Sequence, residues 1–376
     1  MAEQNVLFDK VKTFEEFKEF IDKLNIKGKT FIIKPNWVEP SKGQYTEPTP
    51  LRWLFDCLEG KKVIIESHTV WRNKILMETG EVIVNEKNMN EKKDFLREQE
   101  KWFLEFTGLN ELLKEHNVEY INITEEVWKR ETVDPKIIQE IVEKKFQPIK
   151  HKELYGVIPK KIFELRDSIF IDFAKIKTDG SFALTLSTKN LFGLIPDPKR
   201  SPKYHDHEAK ILPYAVLDMN KIYRALFNCV FINEGIFTAI DGPSPEAGRL
   251  RENLNLIVGG RNSIDIDLVT AKLVGINPKI LLKKLLDPTK EVFGFNPKIL
   301  EKIPENFVDK FNYEKWKMPI KTKKRRKAGR MHGRNSHGHG SRKKWRSSGE
   351  QGGFGMAGTG KRADHKKSLI INLYGN

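Results

Sequence analysis

An α/β fold with a largely parallel sheet and flanking helices is predicted by two features of the chain. Short apolar runs of strand length alternate with amphipathic segments of helical spacing across residues 14–273, the trace that strand–helix–strand units leave. The composition, 39% hydrophobic and 31% charged, is that of an ordinary globular protein, and no internal repeat points to a solenoid.

The elements follow in order. FEEFKEFIDKL (14–24) places Phe14, Phe17, Ile21 and Leu24 on one helical face. TFIIKPN (30–36) is a short buried strand ended by Pro35. LRWLFDCL (51–58) predicts a helix, KVIIES (62–67) a strand, 93–116 one long polar helix, and VEYINI (118–123) a strand. SIFIDFA (168–174) and FALTLS (182–187) read as strands, and 208–227 as a helix with Pro213 near its start. CVFINEG and IFTAIDG (229–242) predict two strands around a turn; LNLIVGG (254–260) is a strand followed by the helix IDIDLVTAKLVG. Prolines 278, 288, 297, 304 and 319 divide the remainder into short helices. The expected organisation is an α/β domain over 1–280, its C-terminal part and a linker over 281–320, and a basic, glycine-rich, extended or disordered arm over 321–376.

Polar motifs recur where the strands end, and in parallel sheets ligands bind beyond the carboxyl ends of the strands. Lys34-Pro35-Asn36-Trp37, Glu66-Ser67-His68, Lys175 and Lys177, Lys189-Asn190, and Asp241-Gly242-Pro243 are such motifs. Taken singly, a strand-end lysine is a solvated charge, His68 a structural hydrogen-bonder, Asp241-Gly242 a turn, and Asp265 and Asp267 first-turn acids of a helix. Taken together they predict a crevice for an anionic or metal-bound small ligand. His205 and His207 with Glu208 have a spacing that suits a divalent metal; the simpler reading is a polar helix start capped by Asp206. No metal site is assigned. No phosphate-binding loop, Rossmann glycine fingerprint, nucleophile elbow or zinc-protease helix occurs in the sequence.

KPNW, WFLEFTGLNELLKEHNVEYINI, FAKIKTDGSFALTLSTKNLFGLIPDPKR, DGPSPEAG and GGRNSIDIDLVTAKLVGINP together resemble a prokaryotic family known as domain of unknown function 362, over about residues 30–280. The resemblance implies an α/β body and no particular reaction. Its matching polar positions are Lys34, Asn36, Lys177, Lys189, Asn190, Asp241 and Asp267. Some relatives carry ferredoxin-like cysteine clusters. This chain has only Cys57 and Cys229, both in apolar contexts, so no iron–sulfur cluster is expected and both are expected to be buried free thiols.

The arm is chemically distinct from the body. Residues 321–376 hold sixteen lysines and arginines against Glu350 and Asp364, a net charge of +14 out of +16 for the whole chain. Few apolar residues and many glycines leave such a segment without a core, and its charge suits a polyanion bound with counterion release. Gly352, Gly353, Gly355, Gly358 and Gly360 allow close backbone approach, and Trp345 and Phe354 can stack on bases. His332, His337, His339 and His365 lack a zinc-site spacing.

KKRRKAGRMHG, HGHGSRKK and GGFGMAGTGKR resemble the N-terminal arm of the large-subunit ribosomal protein "L fifteen" in its archaeal and eukaryotic form. That resemblance implies binding to ribosomal RNA and the large subunit. The contacts fall to Lys323, Lys324, Arg325, Arg326, Arg330, His332, Arg334, Arg342, Lys343, Lys344, Arg346, Lys361 and Arg362.

No run of 18 apolar residues and no secretory start occurs in the sequence, so no membrane association and a cytoplasmic location are expected. Three readings follow. RNA binding through the arm stands first; an enzyme or small-molecule binder of unknown reaction, or a non-specific nucleic-acid binder, are the alternatives.

Overall fold

A computed structural model describes residues 6–72, 74, 93–179, 181–197, 200–205, 210–240, 249–304, 307 and 311. The chain divides into Met1–Lys317 and Met318–Asn376, and the sheet and its helices belong to the first unit. The arm and its thirteen proposed RNA contacts lie outside the described residues.

Seven strands form one mixed sheet: β1 (Leu7–Lys10), β2 (Thr30–Lys34), β3 (Lys61–Glu66), β4 (Glu119–Asn122), β5 (Ile169–Lys175), β8 (Asn228–Ile240) and β9 (Arg249–Gly260), with β6 (Lys177–Asp179) and β7 (Ala183–Thr185) as a separate two-stranded ribbon. The order across the sheet is β1-β9-β8-β5-β2-β3-β4. The four pairs from β8 to β4 are parallel; β9 pairs antiparallel with both β8 and β1. From β2 the chain steps outward to β3 and β4, then returns to β5 on the opposite side of β2 and proceeds to β8. The direction reverses between β2 and β5, which makes that gap the switch point of a doubly wound sheet.

The strands are apolar on both faces because both faces are covered. Ile32, Phe170 and Phe231 pack into one core cluster, while Phe31, Ile33, Ile171 and Ile232 pack into the other. The period of two along each strand divides neighbouring residues between the two layers.

Several elements differ from the sequence expectation. The segment 93–116 is two helices, Lys93–Phe106 and Leu109–Glu115, because Gly108 takes φ 74° between them, a left-handed backbone that glycine adopts at no steric cost. The two strands expected over 229–242 are one strand, β8, with a register shift between Gly235 and Phe237. Gly235 there marks a bulge and not a turn: a Cβ would lie 3.0 Å from Leu254 Cδ2 and 3.1 Å from Ile176 Cδ1. FALTLS forms the short ribbon strand β7 and then the first residue of a one-turn helix, Ser187–Asn190. The start of the chain, with too little apolar periodicity to read, supplies the edge strand β1. The segment after 277 is less divided than its prolines suggest: Pro278–Leu281, a π-helical turn Leu282–Leu286 and Asp287–Phe293 run on without a break through Pro288, and Lys298–Glu301 follows separately.

Candidate functional site

The switch point is filled with buried charge. Lys34, the last residue of β2, sits in register with Asp172 of β5, and Glu66 ends the neighbouring β3. All three are at most 2% exposed. Lys34 Nζ donates to Glu66 Oε2 at 2.8 Å, to the Pro35 carbonyl at 2.6 Å and to Asn190 Oδ1 at 3.3 Å. Glu66 also accepts from the backbone N–H of Trp37 at 3.2 Å and of Ser67 at 3.0 Å. Asn190 is the hub: its Oδ1 accepts from Asn36 Nδ2 at 2.8 Å, and its Nδ2 donates to Asp172 Oδ1 at 2.6 Å and to the Lys34 carbonyl at 3.2 Å. Burial lowers the Lys34 pKa against the opposing pull of Glu66. Burial also lifts the Asp172 carboxyl well above the usual range, against the Asn190 hydrogen bond and the Lys34 charge. Asp172 Oδ2, Asn36 Oδ1 and Ser67 Oγ are buried and make no hydrogen bond within the protein, where nearly all such atoms are paired.

The helix Ser187–Asn190 reaches this gap because two side chains hold its first turn. Asn233 Oδ1, near the middle of β8, accepts from Ser187 N at 2.9 Å and Ser187 Oγ at 2.7 Å. Asp267 Oδ2 accepts from Thr188 N at 3.0 Å, and its Oδ1 from Asn233 Nδ2 at 3.0 Å. Burial raises the Asp267 pKa to about 6 against these bonds. The reading of Asp267 as a first-turn acid is therefore corrected. Its helix spans Ser263–Leu273, and Asp265 occupies the first turn, whereas Asp267 is turned into the core.

A second group surrounds the ribbon. Lys175 Nζ contacts Glu47 Oε2, lies 2.5 Å from Glu234 Oε1 and donates to the Phe237 carbonyl at 2.9 Å. Burial pulls its pKa down, but Glu234 and Glu47 outweigh that and keep it charged. Lys189 Nζ contacts Asp179 Oδ2, and that carboxyl also accepts from Ser181 N and Phe182 N, each at 3.0 Å. Lys177 Nζ donates to the Gln44 carbonyl at 2.6 Å. Burial lowers its pKa to about 7 against the attraction of Glu39. Burial raises Glu39 to about 7 against the charge of Lys177, and Glu39 Oε1 makes no hydrogen bond. The expectation that strand-end lysines are solvated is thus overturned for Lys34, Lys175, Lys177 and Lys189, each under 10% exposed. Packing of the helix Ser187–Asn190 and the ribbon over the strand ends removes them from water.

A third group flanks β3 and β4. His68 Nε2 lies 2.9 Å from Glu125 Oε1 and its Nδ1 3.4 Å from Glu100 Oε2, with the ring stacked on Trp128. Arg72 Nη1 donates to Glu100 Oε2 at 2.5 Å, and Arg97 donates to both Glu125 oxygens at 2.8 and 2.9 Å. Burial pulls the His68 pKa down, but the hydrogen bonds with Glu100 and Glu125 carry it up. His68 is 2% exposed and held on both ring nitrogens.

Of the seven positions singled out, Lys34, Asn36 and Asn190 meet directly, Asp267 holds the helix of Asn190 through Thr188 N, Lys177 opens the ribbon, and Lys189 reaches from that helix to Asp179 of the ribbon. Asp241 lies outside the described residues, as do Asp206, His207 and Glu208; His205 packs between the rings of Phe182 and Phe192. Cys57 and Cys229 are unpaired and only partly buried; burial pushes both thiols up to about 12. The sequence reading missed Asp172, Asn233 and Glu234. The signal was available: IFIDFAK and VFINEG carry polar residues inside otherwise apolar strands, and a fully buried strand retains such residues only where something satisfies them. Glu39 and Glu47 lie in a loop whose sequence carries no such signal. Among the described residues no group of three His, Cys, Asp or Glu is placed to hold a metal, and no helix is long and apolar enough to cross a membrane.

A doubly wound α/β domain with a buried polar cluster at its switch point is the class that fold and site define. The family described as "Domain of unknown function (DUF362)" matches residues 32–272, a span that contains every described residue of the cluster, and the chain belongs to that family. No solved structure matches the chain.

Proposed function

We propose that the α/β body is a cytoplasmic small-molecule domain that binds a polar ligand at the carboxyl ends of β2, β5 and β8 and moves protons on it. The observation that carries this reading is the convergence of Lys34, Glu66, Asp172 and Asn190 on the switch point. Buried ionisable groups with displaced pKa values are expensive to retain in a fold and cluster where chemistry is done. Lys34, Lys175 and Lys189 are matched by Glu66, by Glu47 and Glu234, and by Asp179. An anionic group on the ligand would therefore meet Lys177, which makes no ion pair within 4.0 Å among the described residues. Glu39 and Lys177, each near neutrality, suit acid–base work at physiological pH. The test is calorimetric titration of the full chain with oxalate, malonate, pyruvate, acetoacetate and pyrophosphate. The reading expects a member of this panel to bind wild type and to lose at least about tenfold affinity in Asn190→Leu, about 1.4 kcal/mol. No binding across the panel, or unchanged affinity in a folded Asn190→Leu protein, counts against it.

A second reading rests on the arm. The +14 charge of residues 321–376 and their resemblance to the ribosomal arm support binding to ribosomal RNA and association with large subunits. A chain ending at residue 320 should lose ribosomal-RNA affinity while the body stays folded. Equal affinity of the full chain for duplex DNA would leave only non-specific polyanion binding.

A further inference from the structure

We infer that Lys177 is a nucleophilic amine that condenses with the carbonyl carbon of a small aldehyde or ketone at the strand ends. The inference rests on the small-molecule reading above and names the substrate class of that site. It begins with placement. Lys177 opens the ribbon strand β6, separated from the end of β5 by Ile176 alone. It is 3% exposed, so its stem is fixed and its amine is removed from bulk water.

Its partners separate it from its neighbours. Lys34, Lys175 and Lys189 each pair with a carboxylate oxygen. Lys177 Nζ donates to a neutral carbonyl, that of Gln44, at 2.6 Å. One N–H is thereby oriented while the lone pair of the neutral amine is left for attack. Lys175 and Lys189 add like charge on either side, a second reason for the ammonium form to be disfavoured. These surroundings agree with a pKa lowered by burial to about 7, where about half of the amine is free at neutral pH. Glu39 is the acid whose charge acts on Lys177: it is 3% exposed, and its Oε1 makes no hydrogen bond. Asp179, the remaining charge near Lys177, is engaged by Lys189.

The step balances without a redox partner. The Nζ lone pair forms the C–N bond and the carbonyl π pair moves to oxygen; one proton passes from the now cationic nitrogen to that oxygen to give a neutral carbinolamine. Protonated Glu39 then supplies a proton to the departing hydroxyl, the C–O bond breaks, and water leaves as the nitrogen lone pair closes C=N. The nitrogen returns one proton to Glu39. Carbonyl compound plus amine gives imine plus water, and Glu39 ends as it began.

Formaldehyde, the smallest carbonyl probe, tests this with sodium cyanoborohydride present to reduce the imine. The full chain is treated at pH 7 with limiting formaldehyde, digested, and each lysine's methylation rate read by mass spectrometry. A surface lysine holds only about 0.04% free amine at pH 7. Lys177 should therefore react at least about tenfold faster than the exposed Lys18 and Lys101, with the advantage shrinking as pH rises towards 10. A Lys177 that reacts no faster than Lys18 overturns the inference. If a panel ligand still binds in that case, the binding site stands and only the imine falls. A fast Lys177 in a protein that binds no panel ligand supports the amine and removes the acid–base binding reading instead.

Discussion

Replacing Lys34 by Met tests the buried ion pair at the switch point. In that variant Glu66 keeps two N–H donors, from Trp37 and Ser67, but loses its cation in a site only 2% exposed. Breaking a buried pair from one side costs about 3–5 kcal/mol. Glu66→Met leaves the ammonium with the Pro35 carbonyl and Asn190 Oδ1, and orphans both N–H groups at about 1–3 kcal/mol each; it should fall at the upper end of the same range or beyond it. The double variant carries neither uncompensated charge, and only the orphaned N–H groups and the Pro35 carbonyl remain to be satisfied, since Asn190 Oδ1 keeps Asn36 Nδ2. Its loss should be about 3–4 kcal/mol, well short of the sum of the two single losses, a coupling of about 3 kcal/mol or more. Urea unfolding of all four proteins at pH 7 measures it, with Glu66→Gln as a milder single variant should Glu66→Met not fold. Strict additivity would refute the ion pair and the reasoning built on it.

Three further outcomes follow from the same geometry. Lys177→Met should stabilise the fold below about pH 7: the folded pKa is depressed, so lysine's contribution is present above its unfolded value near 10.4 and lost as pH falls through about 7. Urea midpoints from pH 6 to 10 check this, and a uniform loss at every pH contradicts it. His68 behaves oppositely, because its folded pKa is raised; its contribution is full below about 6.5 and fades as pH rises through the raised value. Stability of His68→Gln should therefore converge on that of wild type as pH increases from 6 to 9, and a gap that widens would contradict the assignment. Gly193→Ala places a Cβ 3.1 Å from Lys34 Nζ and 3.6 Å from Glu66 Oε1, overpacking worth about 1–3 kcal/mol; a melting temperature equal to wild type would show that the cluster gives way freely.

The fold was legible where local chemistry agreed with tertiary structure. Phe14–Leu24 is a helix at the residues expected, because its apolar stripe, its Thr13 cap and its Glu16 capping box act together. β2, β3 and β5 were legible because a strand covered on both faces must be continuously apolar. What was hidden depends on neighbours distant in sequence. Gly235 resembles a turn residue until β9 is seen to absorb the extra residue as a bulge. β1 is four residues of an edge strand, fixed by pairing with β9 and not by its own pattern. The site was half legible: Lys34, Asn36 and Asn190 were found from their place at strand ends, but their burial was not. Whether a strand-end lysine is solvated or buried is decided by what covers it, here a one-turn helix held by Asn233 and Asp267, more than 40 residues further along. The acid inside IFIDFAK signals that Asp172 needs a partner, but the partner, the Asn190 amide 18 residues on, is fixed only by the tertiary fold.

Hydrogen–deuterium exchange on the full chain, with and without the tightest-binding member of the small-molecule panel, tests the central claim most directly. The account predicts slowed exchange in peptides covering residues 34–47 and 175–190, the segments that carry Lys34, Asn36, Glu39, Lys177 and Asn190, with residues 93–116 unchanged. Protection confined to residues 321–376, or spread evenly over the body without those two segments, would contradict a binding site at the switch point.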